Sequence, residues 1–278
     1  MGLRDQLDWA KTEWGIFARR DEMTFGDALR WLSQWVPFGA RTMGYATVSL
    51  VAGPLTPDRR ASTWAMKQWS RACLEGLRIS AEIRGAHLVP AGGLTYASNH
   101  QSLLDILVLG ALLPGDLKWA AKRSLMKIPF LGWHLALSGH VPVERQAGRR
   151  AAAEAIRRFE EVLREGKQLL IFPEGTRTQD GDVQEFKNGG FYAAVRANRP
   201  VLPVAVEGTF WLMRKHASDT GETAATRARR VLVEIGEPVW PLTDRKEREQ
   251  VEDLRDRARA SVVRMHAALR NELRAMGE

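Results

Sequence analysis

The chain has 278 residues, 45% hydrophobic and 27% charged, and its 41 Lys and Arg against 33 Asp and Glu leave a net charge of +8. This length carries one large folded domain, or one domain with an appendage, and the composition excludes a disordered chain and a fibre. A single cysteine, Cys73, excludes an internal disulfide framework and a multi-cysteine zinc site and fits a reducing compartment, while the basic balance favours an anionic partner: nucleic acid, phospholipid or a phosphorylated small molecule.

The opening stretch, MGLRDQLDWAKTEWG, is polar and acid-containing and does not read as a secretory signal, and Gln6 breaks the pattern for acylation at Gly2. A mixed-polarity helix is expected over 3–20. No unbroken run of 18 apolar residues exists. The nearest candidate, Trp31 to Pro57, carries only Arg41 but is interrupted by Pro37, Gly39, Gly44, Gly53 and Pro54. That spacing predicts two short helices, the first (from Phe25) stopping at Pro37, rather than one spanning helix. Six of the ten tryptophans (Trp9, Trp14, Trp31, Trp35, Trp64 and Trp69) fall in the first quarter of the chain. Indole rings favour the headgroup level of a membrane; packing of an N-terminal helical pair onto the main domain accounts for them as well.

After the Gly-Pro linker at 53–57, Asp58 is placed to cap a helix running from Arg59 to Gly76. The period then changes. Alternation over 79–84 predicts a strand, and Leu94 to Ser98 a second. Leu103 to Leu113 is apolar and helical. Short strands are expected at 118–121 and 140–143. An amphipathic helix spans Arg149 to Glu165, with Phe159, Val162 and Leu163 on its apolar face, and a buried strand covers 168–172. A helix over 186–198 and strands over 201–206 and 231–235 follow. From Val251 to Met276 apolar residues recur every three or four positions, the stripe of a core-packing helix. Strands alternating with helices predict an α/β domain with a mixed, largely parallel sheet flanked by helices.

Two segments carry the chemistry. Asn99-His100-Gln101-Ser102-Leu103-Leu104-Asp105 follows a strand and opens an apolar helix. His100 and Asp105 are five residues apart and so do not share a face of one regular helix. They meet if His100 lies in the loop before it. Asp105 then accepts a bond from one imidazole nitrogen, fixes the tautomer and leaves the other nitrogen as a base. A surface histidine near a helix cap is the plain alternative. Phe172-Pro173-Glu174-Gly175-Thr176-Arg177 directly follows a buried strand, where α/β sheets bind ligands. Gly175 admits close approach to the backbone, Thr176 supplies a hydroxyl, and Arg177 a fork for phosphate. A plain turn from strand to helix also fits those residues. A third segment, 139–145, is a strand ending in Arg145, and a fourth, 200–206, is an apolar strand.

In this order the four segments resemble those of the glycerolipid acyltransferase family, marked by a His-four residues-Asp box, and are closest to the bacterial 1-acyl-glycerol-3-phosphate acyltransferases. NHQSLLD and FPEGTR, about seventy residues apart, carry the resemblance, and the run 121–132 with Lys122 is similar to the segment between the boxes. Pro142 and Glu144 depart from the commonest residues at their positions. The resemblance implies that His100 is the general base and Asp105 its orienting acid. It also implies that Arg145, Arg177 and Lys122 bind the acceptor phosphate, with Glu174, Gly175 and Thr176 forming the turn at the glycerol end. The substrates would be lysophosphatidate and an acyl thioester of coenzyme A or acyl carrier protein, with no metal or other cofactor. It further implies a helical membrane-binding pair within 1–57, an acyltransferase domain over 58–278, and residence at the cytoplasmic face of the inner membrane. Other acceptors, such as lyso-ornithine lipid, another lysophospholipid or glycerol-3-phosphate, stay open.

The remaining signals are weaker. Cys73 reads as a small buried hydrophobe, and His134 and His140 as local polar contacts. His87, His216 and His266 have no partner motif. GxSxG, Walker A and GxGxxG patterns are absent from the sequence. Arg227, Arg229 and Arg230 cluster, but no nucleic-acid module accompanies them, so no nucleic-acid partner is expected. A non-catalytic lipid-binding protein remains the distant alternative.

Overall fold

A computed structural model of the chain describes residues 25–128, 130–144, 148–213 and 229–277. The expected helix over 3–20, Trp9 and Trp14, and the side chains of Trp31 and Trp35 lie outside the described residues.

Helix α1 runs unbroken from Phe25 to Ala52, straight through Pro37. The break expected at that proline does not occur. Proline removes one backbone hydrogen bond from the helix interior, but the turns that follow are held from outside. Phe38 packs edge-on to Trp69 at 6.1 Å, Thr42 Oγ1 accepts from Trp69 Nε1 at 3.0 Å, and Ser62 Oγ donates to Ser49 O at 3.3 Å. Helix α2 (Arg60–Gly76) supplies both partners, Trp69 and Ser62. Asp58 does not cap α2; it sits at φ 50° in a short 3-10 turn. The Ala61 N–H in the first turn of α2 instead donates to Thr56 Oγ1 at 3.1 Å. Cys73 is buried on α2, and burial pushes its thiol up to about 12, as expected of an inert core residue.

Among the described residues seven strands form one sheet: β1 (Ser80–Arg84), β2 (Leu94–Ser98), β3 (Leu117–Lys122), β4 (Val141–Val143), β5 (Gln168–Ile171), β6 (Val201–Glu207) and β7 (Arg230–Ile235). Their order is β1-β7-β6-β2-β5-β3-β4, and every pairing is parallel except β6 with β7. The sheet is therefore mixed and largely parallel. The central strands β2, β5 and β6 are buried along their whole length, which a parallel sheet covered on both faces requires.

The covering helices are α3 (Leu104–Leu112), α4 (Leu131–Leu137), α5 (Arg149–Arg164), α6 (Gly189–Ala197), the short α7 (Thr209–Leu212) and α8 (Glu247–Ala275). Alternate strand residues face opposite layers. Leu94, Tyr96, Leu170, Leu202 and Val204 pack with α2 and α3, whereas Ala97, Leu169, Ile171 and Val201 pack with α5, α6 and α8. Helix α6 starts at Gly189, three residues later than its pattern suggests, because Phe186 is spent on the core from an extended segment. Helix α8 starts one turn earlier than its apolar stripe, with Glu247 and Glu249 in the first turn, where the helix dipole favours acids.

This topology places the candidate chemistry. The parallel strands β2, β3, β4, β5 and β6 all end at one rim of the sheet. The two boxes and Lys122 follow from those ends.

Candidate active site

The chain leaves β2 at Ser98, and Asn99 continues the ladder with its side chain. Asn99 Oδ1 accepts from Val206 N at 2.8 Å, and its Nδ2 donates to Val206 O at 2.9 Å. This two-point amide contact fixes the exit of β2 against β6. His100 then lies in the loop before α3, and Asp105 in the first turn of α3. His100 Nδ1 is 2.8 Å from Asp105 Oδ2. An ionised carboxylate only accepts, so Nδ1 carries the proton and Nε2 is the basic nitrogen. The same Oδ2 accepts from Gln101 N at 2.7 Å and Ser102 N at 2.9 Å, and Oδ1 accepts from Thr209 Oγ1 at 2.5 Å. Asp105 is fully buried and His100 is 4% exposed. Four donors thus surround a carboxylate that has no access to solvent.

The turn after β5 grips His100 from the other side. Phe172 stacks on the imidazole at 3.9 Å with the planes 15° apart. Glu174 Oε1 accepts from His100 N at 3.2 Å, and Thr178 N donates to His100 O at 2.8 Å. Gly175 makes the turn at φ 75°; a Cβ there would lie 2.8 Å from Lys187 Nζ. Glu174 is buried with its Oε2 unpaired. Burial pushes its carboxyl up to about 8, and Asp105 nearby adds to the rise. The direction of that shift favours the protonated form of Glu174. Thr176 is exposed and Arg177 is buried, 7% exposed.

Lys122 ends β3, half-buried, in register with Val143 of β4. Arg145 lies outside the described residues. Glu144, just before it, is exposed and 3.8 Å from Arg123. Direct contact thus joins His100, Asp105 and Glu174, while Lys122 shares their rim of the sheet.

Several residues of the site were not apparent from sequence. His266 has a partner after all: its Nε2 is 2.7 Å from Glu207 Oε2, and both residues are buried. Burial pushes the Glu207 carboxyl up, but His266, Arg270 and Gln101 outweigh that and hold it below its ordinary value. Gln101 Nε2 donates to Glu207 Oε2 at 3.2 Å and to Gly181 O at 3.1 Å. Spacing held a signal for His266, which lies four residues after Val262 and three before Leu269, inside the buried stripe of α8; Met265 beside it is only half-buried. His134 and His140 are buried local contacts: His140 Nδ1 accepts from Trp119 N at 3.0 Å, and burial pushes His134 down to about 4 and His140 well down. Arg229 Nη1 donates to Leu77 O at 2.6 Å and Arg230 Nε lies 3.9 Å from Glu82, so both brace the fold.

The raised Glu174 carboxyl has a consequence for stability. A group whose folded pKa lies above its unfolded value stabilises fully below the unfolded value, near 4.5, and loses that contribution as pH rises to about 8. Glu174→Gln copies the protonated form at every pH. Its melting temperature relative to wild type is expected to climb between pH 5 and about 8 and then level off. A difference that stays flat across that range, read by calorimetry, would show that the carboxyl is charged at neutral pH.

The chain is similar to known proteins in sequence and in fold. A family model described as Acyltransferase matches residues 80–207. A 1-acyl-sn-glycerol-3-phosphate acyltransferase of Pseudomonas aeruginosa is 31% identical over 194 residues, covering 68% of this chain and 75% of that protein. The 1-acyl-sn-glycerol-3-phosphate acyltransferase alpha of Homo sapiens is 30% identical over 208 residues, covering 74% of this chain and 69% of that protein. The crystal structure of the 1-acyl-sn-glycerophosphate (LPA) acyltransferase from Thermotoga maritima aligns with a TM-score of 0.69 at 27% identity, over 86% of this chain and 94% of that one. With a His-Asp pair set at the end of a parallel strand and relatives matched over most of their length, the chain belongs to the acyltransferase family.

Proposed function

We propose that the chain transfers an acyl group from an acyl thioester to the sn-2 hydroxyl of 1-acyl-glycerol-3-phosphate, giving phosphatidate. The observation that carries the reading is the buried His100–Asp105 pair at 2.8 Å, whose protonated Nδ1 leaves Nε2 as the base. In this reading Nε2 takes the proton of the sn-2 hydroxyl as the oxygen attacks the thioester carbonyl. Asp105 stabilises the imidazolium that forms. The tetrahedral intermediate collapses with rupture of the C–S bond, and the imidazolium returns its proton to the leaving thiolate. The acceptor is itself the nucleophile, so no acyl-enzyme intermediate is needed. Lys122, Arg145 and Arg177 bind the acceptor phosphate, and Glu174, Gly175 and Thr176 hold the turn beside the glycerol. Coenzyme A and acyl carrier protein are both admissible carriers of the acyl group.

Residues 1–57 form the membrane-associating part in this reading, and 58–278 the catalytic domain. Support comes from the outer face of α1 and its surroundings. Val36, Met43, Val48, Val51 and Leu55 are exposed there, with Trp64 on α2 and Trp133 on α4. Among the described residues no helix is long and apolar enough to cross a membrane, so this face would lie on the surface of the bilayer. The cytoplasmic side of the inner membrane is the location that fits acyl thioester substrates.

His100→Ala in the purified chain, assayed with lysophosphatidate and an acyl thioester, is expected to lose about 10²–10⁴ in rate or more; turnover near wild type would remove His100 as the base. Arg177→Ala is expected to weaken lysophosphatidate far more than a neutral monoacylglycerol, and an equal effect on the two acceptors would take Arg177 out of phosphate recognition. Val51→Glu with Leu55→Glu alters two exposed positions, so the fold should be kept. Co-sedimentation with phosphatidylethanolamine–phosphatidylglycerol vesicles should fall sharply, and unchanged sedimentation would move the membrane contact elsewhere.

A further inference from the structure

Thr209 is fully buried and is the first residue of α7, immediately after the turn that ends β6. Gly208 makes that turn at φ 107°, and a Cβ there would lie 2.5 Å from Arg230 O, so glycine alone fits. The turn is held by the side chain before it. Glu207 Oε1 accepts from Gly208 N at 3.0 Å, while Glu207 Oε2 is 2.7 Å from His266 Nε2 and 3.3 Å from Arg270 Nε on α8. A continuous buried path therefore leads from α8 through Glu207 and Gly208 to Thr209.

At the end of this path the Thr209 hydroxyl meets the catalytic carboxylate. Its Oγ1 is 2.5 Å from Asp105 Oδ1 and 3.2 Å from Gln101 Oε1. One hydroxyl has one proton, and the shorter bond to the charged oxygen takes it. Oδ2 is already shared by His100 Nδ1, Gln101 N and Ser102 N.

We propose that Thr209 is a positioning residue of the His100–Asp105 pair, donating to the carboxylate oxygen that faces away from the histidine and so holding the other oxygen on Nδ1. Without that donor, Oδ1 is buried beside no hydroxyl. The carboxylate then gains by rotating, so that its two oxygens divide the three donors now held by Oδ2, and it leaves the line of the imidazole. The cost falls on proton transfer and not on substrate contacts, because Thr209 is fully buried and its hydroxyl is bound to the carboxylate oxygen that does not meet the imidazole. This inference rests on the acyl-transfer reading above.

The test compares Thr209→Val, Thr209→Ala and Thr209→Ser in the full-length chain with lysophosphatidate and acyl-coenzyme A. Valine keeps the shape and removes the donor; serine restores it. The expected result for Val and Ala is a fall of about ten- to a hundredfold in kcat with both KM values within about twofold of wild type, and recovery of most of the loss by Ser. Three results would each overturn the proposal: wild-type kcat in Thr209→Val, a Ser variant as slow as Val or Ala, or a rise in KM at constant kcat. If Val does not fold, the Ala and Ser pair is read by the same rule. Wild type and His100→Ala run alongside. Where wild type leaves lysophosphatidate unacylated, the acceptor reading fails, and the Thr209 series is read on the lysolipid that wild type does acylate. Where His100→Ala is as active as wild type, there is no pair to position, and the proposal falls with it.

Discussion

A buried carboxylate must be surrounded by donors, and the way Asp105 meets this requirement organises the site. Its donors come from different elements. His100, Gln101 and Ser102 belong to the loop between β2 and α3, and Thr209 follows β6. Leaving such a group unpaired inside the protein is far more costly than a typical hydrogen bond is favourable. The loop backbone and the end of β6 are therefore tied to one carboxylate. The helix dipole adds to this, since Asp105 sits in the first turn of α3, where negative charge is favoured.

The sheet explains why these pieces reach one point. A parallel arrangement brings the ends of β2, β5 and β6 side by side, with β2 in the middle. His100 leaves β2, the Phe172–Glu174 turn leaves β5, and Glu207 closes β6. The histidine is therefore flanked by both neighbours of its own strand: Phe172 and Glu174 on the β5 side, and Gln101 with Asn99 reaching towards β6. Among the described residues the one antiparallel strand pairing, β6 with β7, sets Val206 opposite Val233 and Glu207 opposite Leu232 and so reaches the same rim, from which β7 carries the chain back towards α8.

Much of this was legible in the sequence, for identifiable reasons. Strand β2 was readable to its end residues because its apolar run is bounded by turn residues and the polar box NHQS. For His100 and Asp105, helix geometry supplied only a condition, that the histidine lie in the loop before the helix; the resemblance to the acyltransferases chose the pair over a surface histidine. Pro37 misled because local chemistry at a proline says nothing of the packing that holds the turns beyond it, here Phe38 and Thr42 on Trp69. Asp58 misled similarly, as its left-handed backbone takes it out of capping position. The Glu207–His266 pair joins residues 59 positions apart, and no local period links a strand end to a helix in the C-terminal tail. A buried polar residue inside an apolar stripe was the one available hint.

The net charge gains meaning only from the structure. Arginines on α5 and α8 account for a large part of the basic residues, yet many are tied to acids one turn away. Arg157 pairs with Glu154 and Glu161, Arg158 with Glu154, Arg164 with Glu160, Arg248 with Glu252 and Arg257 with Asp253. Such exposed pairs add little stability each, but they cancel one another's field within a Debye length of about 8 Å at physiological salt. Residues 101–150 carry seven basic and three acidic side chains, and two of the seven, Arg149 and Arg150, open α5. All three acids have a partner: Asp105 the histidine, Asp116 the Lys118 ammonium at 2.6 Å, and Glu144 the exposed Arg123 at 3.8 Å. Lys122, Arg123 and Lys127 follow directly from the end of β3, at the rim of the sheet that holds His100. The charges of α5 and α8 are thus largely matched within their own helices, whereas the basic residues that follow β3 stand at the rim of the sheet that holds His100.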